Sequence, residues 1–191
     1  MTTVALSVVL ILVTFYCVSS TALFTLVAVT RKVVVNNNYK YVNVTSTANE
    51  IGPITNHSLD IGIQFLKEIR DVKGTVQYHL VLNKSVVPQA FVTRTVDVCH
   101  FLKRPTSDRL LNLVYVQYKK SGKLPERCPI PPEYYYIRNF RPSAIAVPGF
   151  LPENDFLLKE IFQTGINNKP LFTYQFYGSF VRKPIERNSV H

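Results

Sequence analysis

The sequence predicts an all-β chain, an antiparallel β-sandwich with one inserted short α-helix at about residues 108–119. Three observations carry this. Apolar and polar side chains alternate over many short stretches, the period of a strand with one buried face. One segment after Thr106 changes to helical spacing. The chain is 47% hydrophobic with 12 Phe and 11 Tyr, which suits a packed core rather than disorder.

The chain opens on thirty residues without a charged side chain, and Arg31 and Lys32 end that run. Val4 to Val18 form an apolar core, and small residues around Ser20 and Ala22 suit signal-peptidase cleavage. Residues 1–22 are therefore expected to be a signal peptide. A retained membrane anchor competes, because the uncharged stretch up to Thr30 is long enough to span a bilayer. Arg31 and Lys32 would then favour a cytoplasmic C-terminus. That orientation would strand the sequons at Asn43, Asn56 and Asn83 away from the lumen, where glycans are attached. The expectation is a secreted, N-glycosylated chain with a single domain over 23–184 and a loose tail at 185–191.

Leu59, Ile61, Ile63 and Phe65 alternate with Asp60, Gly62 and Gln64. Val76, Tyr78, Leu80 and Leu82 alternate with Thr75, Gln77 and His79, which puts His79 on a polar face. Phe172, Tyr174 and Phe176 alternate with Thr173 and Gln175. Asp71 to Gly74 reads as a hairpin link between the first two of these strands, and Gly165 to Pro170 as a turn before the last. Further strands are expected at 26–35, 39–45, 89–98, 133–140 and 154–163. Several are apolar on both faces, as at Phe156-Leu157-Leu158. Two-sided burial and an apolar cavity between the sheets explain this equally. Residues placed to line such a cavity are Phe65, Tyr78, Leu80, Phe101, Leu111, Val114, Tyr135, Phe156, Leu158, Phe162, Phe172 and Phe176.

The helix has an N-cap in Thr106-Ser107-Asp108, apolar positions at Leu110, Leu111, Leu113, Val114 and Tyr118, and a stop at Ser121-Gly122. Cysteines flank it. Cys17 falls in the leader, so Cys99 and Cys128 remain as an even pair, and a disulfide is the default in an oxidising compartment. In Tyr134-Tyr135-Tyr136 the outer two share a strand face and the middle one faces away.

Catalysis finds little support. No nucleophile elbow, zinc-protease helix or phosphate-binding glycine loop is present. The histidines stand apart, and Cys99-His100 has no second ligand at metal spacing, so no metal or cofactor is expected. Asp97 is a charge in an apolar stretch, read as an exposed strand residue or a partner of Arg94 rather than a general base. The net charge of +10 is scattered, with short clusters at Lys103-Arg104, Lys119-Lys120 and Arg182-Lys183. Such a scatter reads first as a solvated basic surface rather than a dedicated anion site, and on a secreted chain it favours anionic lipid heads or sulfated glycans over nucleic acid.

One ordered set of motifs is more specific. It runs Val96-Asp-Val-Cys-His-Phe-Leu-Lys103, Leu110-Leu-Asn-Leu-Val-Tyr115, Cys128-Pro-Ile130, Tyr135-Tyr-Ile137, Pro148-Gly-Phe-Leu-Pro152 and Phe156-Leu-Leu158. This resembles the DUF1091 family of insect secreted proteins, over about residues 74–180. That family is distantly similar to MD-2-related lipid-recognition (ML) proteins, which include GM2-activator-like and CheB-type chemosensory proteins. The chain departs from many relatives in having no cysteine between Leu23 and Val98. The resemblance implies an immunoglobulin-like, ML-like sandwich that holds a lipid, fatty acid or hydrocarbon, with a chemosensory role and no catalytic residue. Its implied partners are that apolar ligand and a membrane surface or cell-surface receptor. The other expectation is an extracellular interaction module with a solid core.

Overall fold

The computed structural model describes residues 24–145, 147, 151–164 and 168–184. The expected leader, the expected tail and residues 165–167 of the expected turn lie outside them. The strands are β1 (Phe24–Asn37), β2 (Val42–Asn49), β3 (Ser58–Phe65), β4 (Val72–Leu82), β5 (Ser85–Val86), β6 (Val92–Asp97), β7 (Gly122–Lys123), β8 (Tyr134–Phe140), β9 (Asp155–Thr164) and β10 (Pro170–Pro184). Two α-helices, α1 (Val98–Lys103) and α2 (Arg109–Lys120), lie between β6 and β7.

The strands form two antiparallel sheets. One has the order β1-β10-β9-β4, with β5 and β6 both on the far edge of β4. The other has the order β2-β3-β8-β7. Their inner faces share one core that includes Val42, Leu59, Ile137, Phe156 and Leu171. The chain changes sheets between β1 and β2. There the Asn37 side chain donates to the Val44 carbonyl at 2.8 Å and accepts from the Val44 amide at 3.0 Å. It changes back between β3 and β4, so Asp71 to Gly74 is not the expected hairpin link. Val72 to Gly74 already belong to β4, and β3 and β4 lie in different sheets. The true tight hairpin is Asn83-Lys84, where both residues take positive φ (51° and 64°) between the paired Leu82 and Ser85.

The expected helix is present as α2, and Asp108 caps it by accepting from the Leu111 amide at 3.2 Å. The second helix was not expected. The sequence suggests a strand running into Cys99, but that strand ends at Asp97, which caps α1 by accepting from the His100 amide at 2.8 Å. Asp97 is thus the exposed strand residue expected, the last of β6, but it is not the partner of Arg94, which pairs with Asp108 instead. His79 is also corrected. It is buried on the outer face of β4, with Nδ1 3.0 Å from the Val87 carbonyl, because the chain beyond the β4–β5 hairpin folds over it.

Candidate functional site

β6 is an edge of one sheet and β7 an edge of the other, so the helical segment between them crosses the open side of the sandwich. Behind it the core is incompletely filled, and a partly open cavity of about 210 Å³ remains. This exceeds the roughly 150 Å³ apolar cavity that takes up benzene in a well-studied core. One sheet contributes Val44, Ile61, Ile63, Phe65 and Ile137. The other contributes Val72, Glu160, Phe162, Leu171, Phe172 and Tyr174. The helical side supplies Val98, Phe101 and Leu102 from α1 and Tyr115 and Tyr118 from α2. Leu124, Pro125 and Ile130, from the chain after α2, complete it.

Aromatic contacts and one cross-link hold that helical wall. Phe101 meets Tyr115 edge-on at 5.4 Å, and Tyr118 meets Phe140 of β8 edge-on at 4.6 Å. The Tyr115 hydroxyl donates to the Pro125 carbonyl at 3.4 Å. Cys99 of α1 is disulfide-bonded to Cys128. Two residues on, Ile130 exchanges backbone hydrogen bonds with Ile69 at 2.8 and 2.9 Å.

Nearly all of the wall is hydrocarbon or aromatic ring, and among the described residues Glu160 is its one charged residue. β9 puts it there by strict alternation. Phe156, Leu158 and Phe162 lie at the same parity, and Glu160 sits between Leu158 and Phe162 on the inner face. The side chain is half-buried and lines the partly open cavity. Desolvation accordingly raises its carboxyl from 4.5 to about 7. Among the described residues no group hydrogen-bonds to the carboxyl and no cation pairs with it. Burial also pushes the hydroxyls of Tyr118 and Tyr174 up, and the charge of Glu160 adds to both shifts.

Of the twelve residues expected to line a cavity, Phe65, Phe101, Phe162 and Phe172 are on its wall. The other eight are not. Tyr78, Phe156 and Phe176 belong to an aromatic cluster with Phe180 that fills the sandwich elsewhere, Phe156 and Phe180 being 4.5 Å apart. Tyr135 is a core residue packed edge-on against Phe65 at 5.9 Å. Leu80 and Leu158 face inward away from the cavity, and α2 reaches it through Tyr115 and Tyr118 rather than Leu111 and Val114. The missed residue of most consequence is Glu160. Its signal was a charge at an inward register position on the otherwise apolar face formed by Phe156, Leu158 and Phe162.

The three sequon asparagines are exposed: Asn43 on β2, Asn56 in the turn before β3, and Asn83 in the β4–β5 hairpin. Two of the basic clusters, Lys103-Arg104 and Lys119-Lys120, end α1 and α2, where cations oppose the negative helix ends. Among the described residues there is no group of three or more His, Cys, Asp or Glu that could hold a metal ion.

No curated protein matches the sequence. A solved structure, chicken MD-1 complexed with lipid IVa, is similar at 9% identity and a TM-score of 0.38, over 82% of this chain and 98% of that one. A family model described as "Protein of unknown function (DUF1091)" matches residues 76–158. That match starts in β4, takes in both helices and both cysteines, and ends in β9. Over residues 76–158, rather less than half of its length, the chain is thus similar to the DUF1091 family.

Proposed function

We propose that this chain is a secreted, non-enzymatic binding protein that takes a small apolar ligand into the space between its two sheets. The observation that carries this is the cavity of about 210 Å³ with its apolar wall. Empty space of that size in a core is destabilising, because its lining forgoes both burial and dispersion contacts. A hydrocarbon segment restores them, at roughly 0.8 kcal/mol per buried CH₂. An interaction module needs no such space, so the cavity favours ligand binding over that alternative. The Cys99–Cys128 disulfide fits an extracellular setting. The basic ends of α1 and α2 flank the helical wall and suit an anionic head group or membrane surface near the cavity. The family resemblance adds a chemosensory role as the proposed context.

The test uses full-length protein secreted from insect cells and the neutral dye prodan. Saturable fluorescence enhancement at one site is expected, together with a co-purified small molecule in native mass spectra. Ile63→Trp, which grows into the cavity from a half-buried position, should abolish dye binding while keeping a cooperative melt. Absence of dye binding and of any adduct in the wild type would overturn the proposal.

A further inference from the structure

A carboxyl set into a hydrocarbon wall with no partner among the described residues is out of place in a purely apolar site. Burying a polar group without a hydrogen bond is unfavourable by a margin that proteins rarely accept without use. Tyr118 projects into the same cavity from α2, close enough for its hydroxyl to feel the Glu160 charge. That hydroxyl likewise has no hydrogen-bond partner among the described residues. Tyr174 stands beside Glu160 on β10, but its hydroxyl is engaged with Ser46 at 3.1 Å. On β4, the residue across from Glu160 is Val76, which is apolar. Among the described residues the cavity therefore offers one strong acceptor and one free hydroxyl, and no cation to meet an anionic head.

The geometry points to Glu160 as the polar anchor of the cavity, accepting a hydrogen bond from the hydroxyl of an otherwise apolar alcohol while Tyr118 donates to that same oxygen. A hydroxyl both donates and accepts at a single oxygen, so one small uncharged group matches the two side chains together. A carboxylate placed there would meet Glu160 with like charge, and an ether or plain hydrocarbon would leave the carboxyl unpaired. Discrimination of this kind is strong because the wrong ligand strands a buried polar group. The inference rests on the proposed ligand-binding role and names its ligand class.

The test is displacement of prodan by two isomers, nonan-1-ol and methyl octyl ether, which differ in whether the oxygen carries a proton. For the wild-type full chain at pH 8.5, where Glu160 is ionised, the alcohol should displace the dye at a concentration at least about tenfold lower than the ether, as expected for one buried hydrogen bond to a charged group. Glu160→Leu should bring the two to near equality while prodan still binds, and Tyr118→Phe should narrow the gap partway. Prodan binding with no preference for the alcohol in the wild type would overturn the anchor and leave the cavity's ligand-binding role standing. An alcohol preference that survives Glu160→Leu would do the same. Failure of prodan to bind the wild type at all would overturn both.

Discussion

Glu160 and Tyr174 are direct cross-strand partners on β9 and β10, both turned into the space between the sheets, yet only one is satisfied. The Tyr174 hydroxyl reaches Ser46 of β2 in the opposite sheet at 3.1 Å and ties the two layers together. The Glu160 carboxyl has no equivalent partner among the described residues and faces the cavity. A leucine there would continue the apolar face begun by Phe156 and Leu158. The carboxyl therefore works against stability, and this has a pH signature.

Burial holds the Glu160 carboxyl at about 7 in the folded chain, against 4.5 when exposed. Between those values the folded state keeps a proton that the unfolded state has released. Stability from this group therefore falls as pH rises from about 4.5 and levels off above about 7. The full span is worth on the order of 3 kcal/mol. Glu160→Leu should accordingly exceed wild type by about 2–3 kcal/mol at pH 8, with a markedly smaller advantage at pH 4. Guanidinium unfolding at pH 4, 6 and 8 measures this, and an advantage that does not change with pH would refute it.

Asp108 serves two partners at once. One oxygen caps α2 at the Leu111 amide, 3.2 Å away, and the other pairs with Arg94 of β6. The Arg94 side chain is 52% exposed, so its ion pair is worth at most about 1 kcal/mol. The cap is worth about the same, but only the cap survives in an amide. Asp108→Ala should cost about 1–2 kcal/mol, and Asp108→Asn and Arg94→Ala each less than half of that. Thermal melts of the three variants decide it. An Asp108→Asn protein as unstable as Asp108→Ala would show that the charge, not the cap, matters.

How far the sequence revealed this fold follows from the range of the forces involved. Strands such as β3 and β10 were legible because strict alternation at Leu59–Phe65 and Phe172–Phe176 reports one buried face directly. The α2 cap at Asp108 is likewise a local signal. The partner of β4 was not legible. Sheet membership depends on contacts between residues far apart in sequence, and Asp71-Val-Lys-Gly looks like a turn whichever sheet receives it. α1 was hidden because its six residues span fewer than two turns, too short for a period to register. The cavity wall was legible at only four of the twelve expected residues, for a related reason. Inward-facing residues such as Phe156 and Phe162 are equivalent in pattern. Only the position of the crossing helices decides which of them meets the cavity and which meets another ring.

The sequons lead to a separable prediction. Asn83 occupies the first position of a two-residue hairpin with φ of 51°, a conformation asparagine adopts readily. Ser85 is exposed at the start of β5 and is required for glycan attachment but not for the turn. Ser85→Ala should remove one endoglycosidase-sensitive mass increment from the secreted protein and leave its melt within about 0.5 kcal/mol of wild type. Asn43 and Asn56 should account for the remaining increments. A wild-type protein whose mass does not change on endoglycosidase treatment would contradict the proposed passage through the secretory pathway.

The last prediction concerns what the disulfide holds in place. Cys99 and Cys128 are 29 residues apart, and the closed loop contains all of α2. In the chain-entropy model a loop of that size stabilises the fold by roughly 3–4 kcal/mol. For a domain of this size that corresponds to a melting-temperature drop on the order of 10 °C. The cross-link also has a local effect. Val98, Phe101 and Leu102 on one side of it and Ile130 on the other all line the cavity. The Ile69–Ile130 backbone pair anchors the Cys128 side independently, so reduction should free mainly α1. Cys99→Ser, Cys128→Ser and the double variant should therefore share the same lowered melting temperature. Below that temperature they should still be folded but bind prodan several-fold more weakly, with hydrogen exchange accelerated over residues 98–103 and little changed over 69–72. Unaltered exchange in α1, or a double variant far less stable than either single one, would show that the bond is not what fixes the helical wall.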